Sequence, residues 1–303
     1  MRNLSIDYLK VILAYFVVLL HLEFLYSYYP EIGFILVNGL FRLAVPLFFI
    51  ITGYYFSKIN NIEELKIWGK RIFIMYAIWT IFYIPFWFRH FEDLTTVLTG
   101  YFTLWYLINL LLGGIILYIF KNIKNYILLT IAFGLYSIGY ILQQTGNIHY
   151  FSVNYDQILN YFPTYRNFIF FSFPMLAIGY AIKRSQVDKK YKPSLYIIIF
   201  SITTVLLEAY INYKYINSHE PIDLLISLIY TPALIFLYIK NFIINGKNKE
   251  LANFSTAIFL IHPFIIGLSG FLKISYPLIF VLIFTSIAAY ILTLINKRLK
   301  FLL

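Results

Sequence analysis

The sequence contains no cysteine among its 303 residues. A chain without cysteine forms no disulfide, holds no zinc through thiolates and has no cysteine nucleophile, so those classes of site are excluded. Cysteine usage therefore gives no indication of the redox compartment.

Charge is also scarce, since only 12% of the residues are charged. Acidic residues number 13 against 24 Lys and Arg, which gives a net charge of +11. Most of these cations stand at the ends of apolar runs, where they determine membrane topology, so no nucleic-acid partner is expected.

Apolar residues dominate instead, at 61% of the chain, with 31 Phe, 29 Tyr and a mean hydropathy of +0.78. Length alone would suggest roughly two soluble domains. The composition overrules that expectation and predicts one polytopic membrane domain over residues 1–303, with no soluble domain appended. We predict ten spans, at residues 8–26, 33–56, 72–88, 101–120, 126–142, 166–182, 194–212, 222–239, 253–271 and 276–296.

The distribution of positive charge tests this layout. With the N-terminus in the cytoplasm, nineteen Lys and Arg lie on the inner side and four on the outer side, while Arg42 falls within the second span. This asymmetry follows the positive-inside rule. The predicted fold class is therefore an all-α, polytopic membrane protein of about ten transmembrane helices, with both termini cytoplasmic.

The first apolar run carries ionisable residues on one helical face. Such residues inside a span are costly and are functional candidates by default. His21 lies eleven residues after Lys10, a spacing that returns almost to the same side of a helix roughly 16 Å further along. Asp7 lies one turn before Lys10, so Asp7, Lys10, Ala14 and His21 are predicted to share a face. This stripe predicts a polar track from the cytoplasmic edge into the membrane.

Other apolar runs also carry polar motifs. They are Arg42, Pro46 and Thr52-Gly53-Tyr54 in the second span, Leu104-Trp105-Tyr106-Leu107 in the fourth, and Asn253-Phe254-Ser255-Thr256 with His262-Pro263-Phe264 in the ninth. In this order, after the Asp7, Lys10 and His21 pattern, the motifs closely resemble the acyltransferase-3 family of bacterial membrane acyltransferases. The resemblance covers essentially the whole chain.

Two positions depart from the usual residues of that family. Lys10 stands where the family typically has Arg, which keeps the charge but loses the flat bidentate fork. Thr52 stands where Ser is frequent. Lys66 and Lys70 occupy the spacing of an arginine pair that is common after the second span.

The resemblance implies an enzyme of the bacterial cytoplasmic (inner) membrane that crosses it several times. It would move an acyl group, most often acetyl, from cytoplasmic acyl-CoA to a hydroxyl of a cell-surface polysaccharide or its lipid-linked precursor. Acetyl-CoA is then a co-substrate, and neither a bound cofactor nor a metal is expected. The implied partners are acyl-CoA, a carbohydrate acceptor and membrane lipid, with a homo-oligomer left open. A succinyl group in place of acetyl, and the side on which transfer is completed, also stay open.

The catalytic prediction centres on His21, with Asp7 assigned to the same group. A neutral imidazole exchanges a proton near neutral pH and can accept the proton of an acceptor hydroxyl. Asp7 lies too far along the helix to touch His21. The alternative for Asp7 and Lys10 is an ion pair at the cytoplasmic interface, and for His21 it is a polar residue satisfied by water.

The binding predictions use the remaining cations and aromatics. Lys10, Arg42, Lys70 and Arg71 are predicted to form a cationic path for the phosphates of CoA, since such groups make charge-assisted hydrogen bonds. A buried Arg42 needs an anionic or carbonyl partner, so a structural pair with a neighbouring helix is its alternative. Lys70 and Arg71 have the alternative of topology charges.

The acceptor is predicted to meet a cavity bordered by Trp105, Tyr106, Arg166 and His262. Aromatic rings stack on sugar faces, and Arg166 can bind hydroxyls or an acidic sugar. Trp105 and Tyr106 have the alternative of belonging to an aromatic belt at the membrane interface, and Arg166 that of a charge flanking its span. The alternative for His262 is that it satisfies the backbone hydrogen bonding that Pro263 interrupts.

A transporter or exporter of a glycan or small molecule is the competing function, because ten helices with polar residues suit that class as well. The His21 and Arg42 motifs, and the lack of paired half-repeats, favour the enzyme. A purely structural scaffold would leave the intramembrane charges without a purpose.

Overall fold

The computed structural model describes residues 2–303, apart from the side chain of residue 92, and is mostly helical. The α-helices are α1 (Leu4–His21), α2 (Pro30–Asn38), α3 (Ala44–Phe56), α4 (Ile62–Phe82), α5 (Ile84–Trp87), α6 (Thr96–Thr99), α7 (Trp105–Phe120), α8 (Asn125–Asn147), α9 (Val153–Leu159), α10 (Phe162–Tyr165), α11 (Phe173–Arg184), α12 (Val187–Lys190), α13 (Leu195–Tyr215), α14 (Thr231–Lys240), α15 (Glu250–Phe271) and α16 (Pro277–Leu299). Short 3₁₀ turns cover Leu40–Leu43, Phe91–Thr95 and Ile226–Ile229, and a π-helical turn covers Phe168–Ser172. Strands β1 (Arg2–Asn3) and β2 (Asn245–Gly246) complete the described chain.

Each predicted apolar run overlaps at least one helix, although the run 222–239 begins with an extended stretch and becomes α-helical only at Thr231. Within residues 2–303, six segments are long and apolar enough to cross a membrane: Leu4–His21, Pro30–Phe56, Asn125–Asn147, Leu195–Tyr215, Glu250–Phe271 and Pro277–Leu299. Trp105–Phe120 and Ile226–Lys240 are shorter apolar segments. The chain is therefore a polytopic helical membrane protein.

The outer surface of the helices is apolar, as a lipid environment requires. On α16, Ile279, Ile283, Ile287 and Ile291 follow one another at four-residue spacing, and 49–60% of each is exposed. A soluble protein rarely presents so continuous an apolar face to water. This face of α16 is suited to contact lipid chains.

Two glycines allow α3 and α11 to pack with their backbones in contact. A Cβ on Gly53 would lie 2.0 Å from the carbonyl oxygen of Leu176, and one on Gly179 would lie 2.1 Å from that of Ile50. Close approach at small residues is a common packing mode between membrane helices. Gly53 therefore admits the backbone of α11.

The N-terminus is joined to a late part of the chain. β1 pairs antiparallel with β2, with Arg2 opposite Gly246 and Asn3 opposite Asn245. Asn3 caps α1 by accepting from the backbone N–H of Ser5, and its side-chain amide donates to Lys240 O at 3.2 Å. From this anchor α1 packs along α15. That packing sets His21 beside His262.

Candidate active site

The site is built around two histidines from α1 and α15. His21 is the last residue of α1 and is partly exposed. Its ring lies 4.4 Å from that of Phe102 and 5.5 Å from that of His262, measured between centroids. The two imidazoles are stacked at an interplanar angle of 24°. Residues predicted separately, from the first and ninth spans, thus meet.

His262 is fully buried in the middle of α15, directly before Pro263. Its Nδ1 lies 3.1 Å from the carbonyl oxygen of Ile258. Since a carbonyl only accepts, Nδ1 donates, and a neutral ring then keeps its lone pair on Nε2. That Nε2 is buried and has no hydrogen-bond partner within residues 2–303. His262 Nδ1 therefore binds a carbonyl of its own helix, one residue before the Phe259 carbonyl that Pro263 leaves without its usual donor, and Nε2 remains an unused acceptor near His21.

Two arginines share one carboxylate at the edge of this site. Arg42, in the turn between α2 and α3, pairs with Asp223. Arg166 donates from Nη1 to the two oxygens of Asp223 at 2.9 and 3.1 Å. The side chains of Asp223, Arg42 and Arg166 are only 4%, 11% and 17% exposed. The anion that a buried Arg42 requires is thus Asp223, and the structural pairing considered as its alternative is present.

Asp223 is held in place through its backbone. It lies in the extended stretch between α13 and the turn that precedes α14. Gln143 Oε1 accepts from the backbone N–H groups of Asp223 and Leu224 at 2.7 and 2.9 Å. Asn38 Oδ1 accepts from Ile222 N–H at 2.9 Å and from Arg42 Nη2 at 3.2 Å. These amides fix the carboxylate between the arginines.

Two contiguous cavities open beside His21. The inner one is narrow, about 30 Å³, and the outer one is about 860 Å³. Leu20, His21, Arg42, Trp105 and Arg166 line both of them. Asp223, Thr103 and Phe259 add to the inner wall, and Glu23, Phe102, Phe162 and His219 add to the outer wall. The outer cavity is roomy enough for a substrate-sized molecule.

The side chains of Trp105 and Tyr106, neighbours in sequence, have different surroundings. The guanidinium of Arg166 lies 4.4 Å from the Trp105 ring centroid, within the cavity wall. Tyr106 instead packs on Phe49 and Phe259, at 4.7 and 5.3 Å. Of the residues predicted for the acceptor, Trp105 and Arg166 line the cavity, whereas Tyr106 and His262 lie behind its wall.

The other predicted charges lie towards the opposite end of α1. Asp7 is buried and pairs with Arg2, whose Nη2 donates to Asp7 Oδ1 at 2.7 Å. Lys10 lies in the electrostatic field of Asp7, Arg2 and Arg71. Arg71 also donates to Leu303 O at 3.2 Å.

The predicted cationic path is consequently divided. Lys10 and Arg71 lie near one end of α1, Arg42 lies beside His21 at the other end, and Lys70 is exposed. A helix rises 1.5 Å per residue, so Lys10 and His21 are separated by roughly 16 Å.

Sequence reasoning missed Asp223, Asn38, Gln143 and Phe102. A signal for Asp223 was present, because an acid opens the apolar run 222–239 while Arg42 needs an anion. The described residues 2–303 contain no group of three His, Cys, Asp or Glu side chains placed to hold a metal ion.

Comparison with known proteins decides the family. A family model described as an acyltransferase domain matches residues 3–296, nearly the whole chain. The chain belongs to the acyltransferase-3 family. The resemblance carried by the motifs is confirmed.

Curated relatives of this acyltransferase-3 chain bear a different kind of name. A serine/alanine racemase of Enterococcus gallinarum is 26% identical over 310 residues, covering 90% of this chain and 42% of the relative. An amino-acid racemase of Enterococcus faecalis is 26% identical over 345 residues, covering 100% of this chain and 44% of the relative. The chain spans less than half the length of these relatives. No solved structure matches it.

Proposed function

We propose that this chain is a membrane O-acyltransferase that moves an acyl group, acetyl in the first instance, from cytoplasmic acyl-CoA to a hydroxyl of a cell-surface polysaccharide or its lipid-linked precursor. The observation that carries the proposal is the stacked pair of His21 and His262 beside a cavity lined by Arg42, Arg166 and Trp105. Family membership supports the acyl-transfer chemistry.

The proposal includes a topology. The chain crosses the bacterial cytoplasmic membrane ten times with both termini inside, as the distribution of Lys and Arg favours. The N-terminal end of α1, with Lys10 and Arg71, then faces the cytoplasm, and His21 faces the outer side. Acyl-CoA approaches the first end, and the acceptor enters the outer cavity.

The reaction is a direct transfer assisted by His21. His21 removes the proton of the acceptor hydroxyl while that oxygen attacks the thioester carbonyl. The new O–C bond forms, the C–S bond breaks, and the proton returns from His21 to the leaving sulfur. The products are the ester and free CoA, and neither an oxidant nor a metal is needed. Transient acylation of His21 is the relay alternative.

The surrounding charged residues have separate roles in the proposed reaction. Arg42, held by Asp223, lies where it can stabilise negative charge on the thioester oxygen. Lys10, Arg71 and the exposed Lys70 supply cations for the CoA phosphates at the cytoplasmic end. Asp7 holds Arg2 beside Lys10. It orients these cations and does not contact the reacting atoms, since roughly 21 Å of helix separates it from His21.

Replacement of His21 tests the proposal. His21→Ala should lower acyl transfer roughly 10²- to 10⁴-fold, because general-base assistance is worth that much. The assay is transfer of labelled acetyl from acetyl-CoA to surface polysaccharide, with NMR detection of O-acetyl groups and with His90→Ala, an exposed loop residue, as the matched control. Full activity of a folded His21→Ala protein would refute the assignment.

A transporter or exporter of a glycan or small molecule is the second candidate. The racemase relatives favour it, because a membrane domain shared with amino-acid racemases is suited to the transport of an amino acid. Reconstituted vesicles separate the candidates. A transporter moves labelled solute without acyl-CoA, whereas the enzyme consumes acyl-CoA and releases free CoA in proportion to the ester formed.

A further inference from the structure

Arg166 is held in one orientation by three neighbours. Its guanidinium lies 4.4 Å from the Trp105 ring centroid and 4.5 Å from that of Phe162. Its Nη1 donates to both oxygens of Asp223. Contacts of this kind fix the plane of the guanidinium before any ligand arrives.

The other edge of this guanidinium is free. Within residues 2–303, no protein acceptor hydrogen-bonds Nε or Nη2 of Arg166, and neither atom is among the enclosed, unpartnered ones. Arg166 lines both cavities, and neither donor of this edge is fully enclosed by the protein. The Nε–Nη2 edge is one of the two that bind a carboxylate through parallel hydrogen bonds.

The charges that line the inner cavity also favour an anion, because Glu23 lines only the outer cavity. Asp223 supplies one negative charge against the two positive charges of Arg42 and Arg166. Glu23 lies at the exposed rim, and across the described chain no ion pair joins it to either arginine. Arg166 keeps two donors without protein acceptors, so an anionic ligand would stabilise the site through charge-assisted hydrogen bonds.

We infer that the acceptor carries a carboxylate as well as the hydroxyl that is acylated, and that this carboxylate binds the Nε–Nη2 edge of Arg166. This inference rests on the proposed acyltransferase function and narrows its acceptor to an acidic sugar. Trp105 lies against Arg166 and offers its ring to the apolar face of the sugar. His21 lines the same cavities and receives the hydroxyl proton.

A binding experiment without acyl-CoA tests the inference. The purified protein in lipid nanodiscs is titrated calorimetrically with D-glucuronate, D-galacturonate and N-acetylneuraminate, each compared with its methyl ester. A charge-assisted bidentate pair predicts that at least one acid binds about tenfold or more tightly than its ester. Equal affinities for every acid and ester would overturn the inference, and this comparison needs no variant.

Substitutions locate the binding group. Arg166→Lys keeps the charge but loses the fork, so it should reduce the preference for acid over ester about tenfold or more. Arg89→Lys, an exposed arginine outside the cavities, is the matched control and should keep the preference. A preference that persists in both Arg166→Lys and Arg166→Gln would place the carboxylate elsewhere. Equally tight binding of glucose 6-phosphate would show a general anion site and would overturn the carboxylate assignment.

A donor experiment separates the acceptor from the acyl group as the source of the carboxylate. Turnover of acetyl-CoA and succinyl-CoA is compared with a neutral and an acidic acceptor. The inference expects Arg166 to matter for the acidic acceptor with either donor. A dependence on Arg166 that follows succinyl-CoA alone would assign the carboxylate to the acyl group and overturn the inference. Tight binding of the acid without ester formation from either donor would refute the acyltransferase function while leaving a carboxylate site.

Discussion

Asp223 is the residue whose replacement tests the architecture of the site most directly. Its carboxylate is 4% exposed and is the partner of both Arg42 and Arg166. Asp223→Asn preserves the size of the side chain but removes its charge. Two buried guanidiniums are then left without their counterion, although the backbone hydrogen bonds to Gln143 persist.

The expected loss of stability is large. Removal of one partner from a buried ion pair costs about 3–5 kcal/mol. Each kcal/mol lowers the melting temperature of a chain of this size by a few degrees, so we expect a decrease of about 10 °C. Acyl transfer should fall as well, because both arginines lose their orientation.

Thermal unfolding of the detergent-solubilised protein, followed by intrinsic fluorescence, measures this change. The control is Glu250→Gln, which removes a carboxylate from an exposed pair with Lys297, where both side chains are more than half exposed. This control should leave the melting temperature unchanged, since exposed pairs contribute little.

A double substitution adds a second test. Asp223→Asn combined with Arg42→Gln should cost less than the sum of the two single changes, because the pair is coupled. Strict additivity, or an Asp223→Asn protein that melts with the parent, would refute the view that Asp223 holds the two arginines in place.

Three further predictions concern other parts of the molecule. His262→Leu removes the hydrogen-bond acceptor beside His21 and should lower the turnover number roughly 10- to 100-fold, while acceptor binding measured by calorimetry stays unchanged; equal losses in both would indicate a folding role. Gly179→Ala should destabilise the protein by about 1–3 kcal/mol, because its Cβ meets the backbone of Ile50, and an unchanged melting temperature would contradict the close contact of α3 and α11. The hydrogen bond to Asp156 raises the pKa of His149. The ion pair should therefore protect the backbone amides around His149 from hydrogen exchange fully below about pH 6.5, and this protection should decline as the pH rises through the higher folded-state pKa. His149→Gln should abolish that dependence.

The positions of the helices were predictable because hydropathy is a local property. Runs such as 126–142 and 276–296 correspond to α8 and α16, since each helix is apolar along its length. The helix boundaries were less predictable in apolar runs where the helix is interrupted. The run 222–239 begins with an extended segment around Asp223 and becomes α-helical only at Thr231.

Some residues of the candidate site were predictable, but most of its pairings were not. His21 and Arg42 stood out because ionisable groups in apolar runs are costly. Asp223 was missed because it is 181 residues from Arg42, a contact that only the packing of α13, α14 and α2 creates. Similarly, Asp7 pairs with Arg2 and not with Lys10, since Arg2 lies in β1, directly before α1.

The pairing of β1 with β2 has a consequence for the biogenesis of the protein. Asn3 binds the chain at Lys240, 237 residues later, and α1 packs on α15, which follows β2. A ribosome that has delivered α1 to the membrane must therefore synthesise every segment between α1 and α15 before α1 gains this neighbour. Insertion of the first helix and assembly of the histidine pair are separate events in time. Nascent chains interrupted before α15 hold His21 without His262, so the histidine pair forms only after α15 has been synthesised.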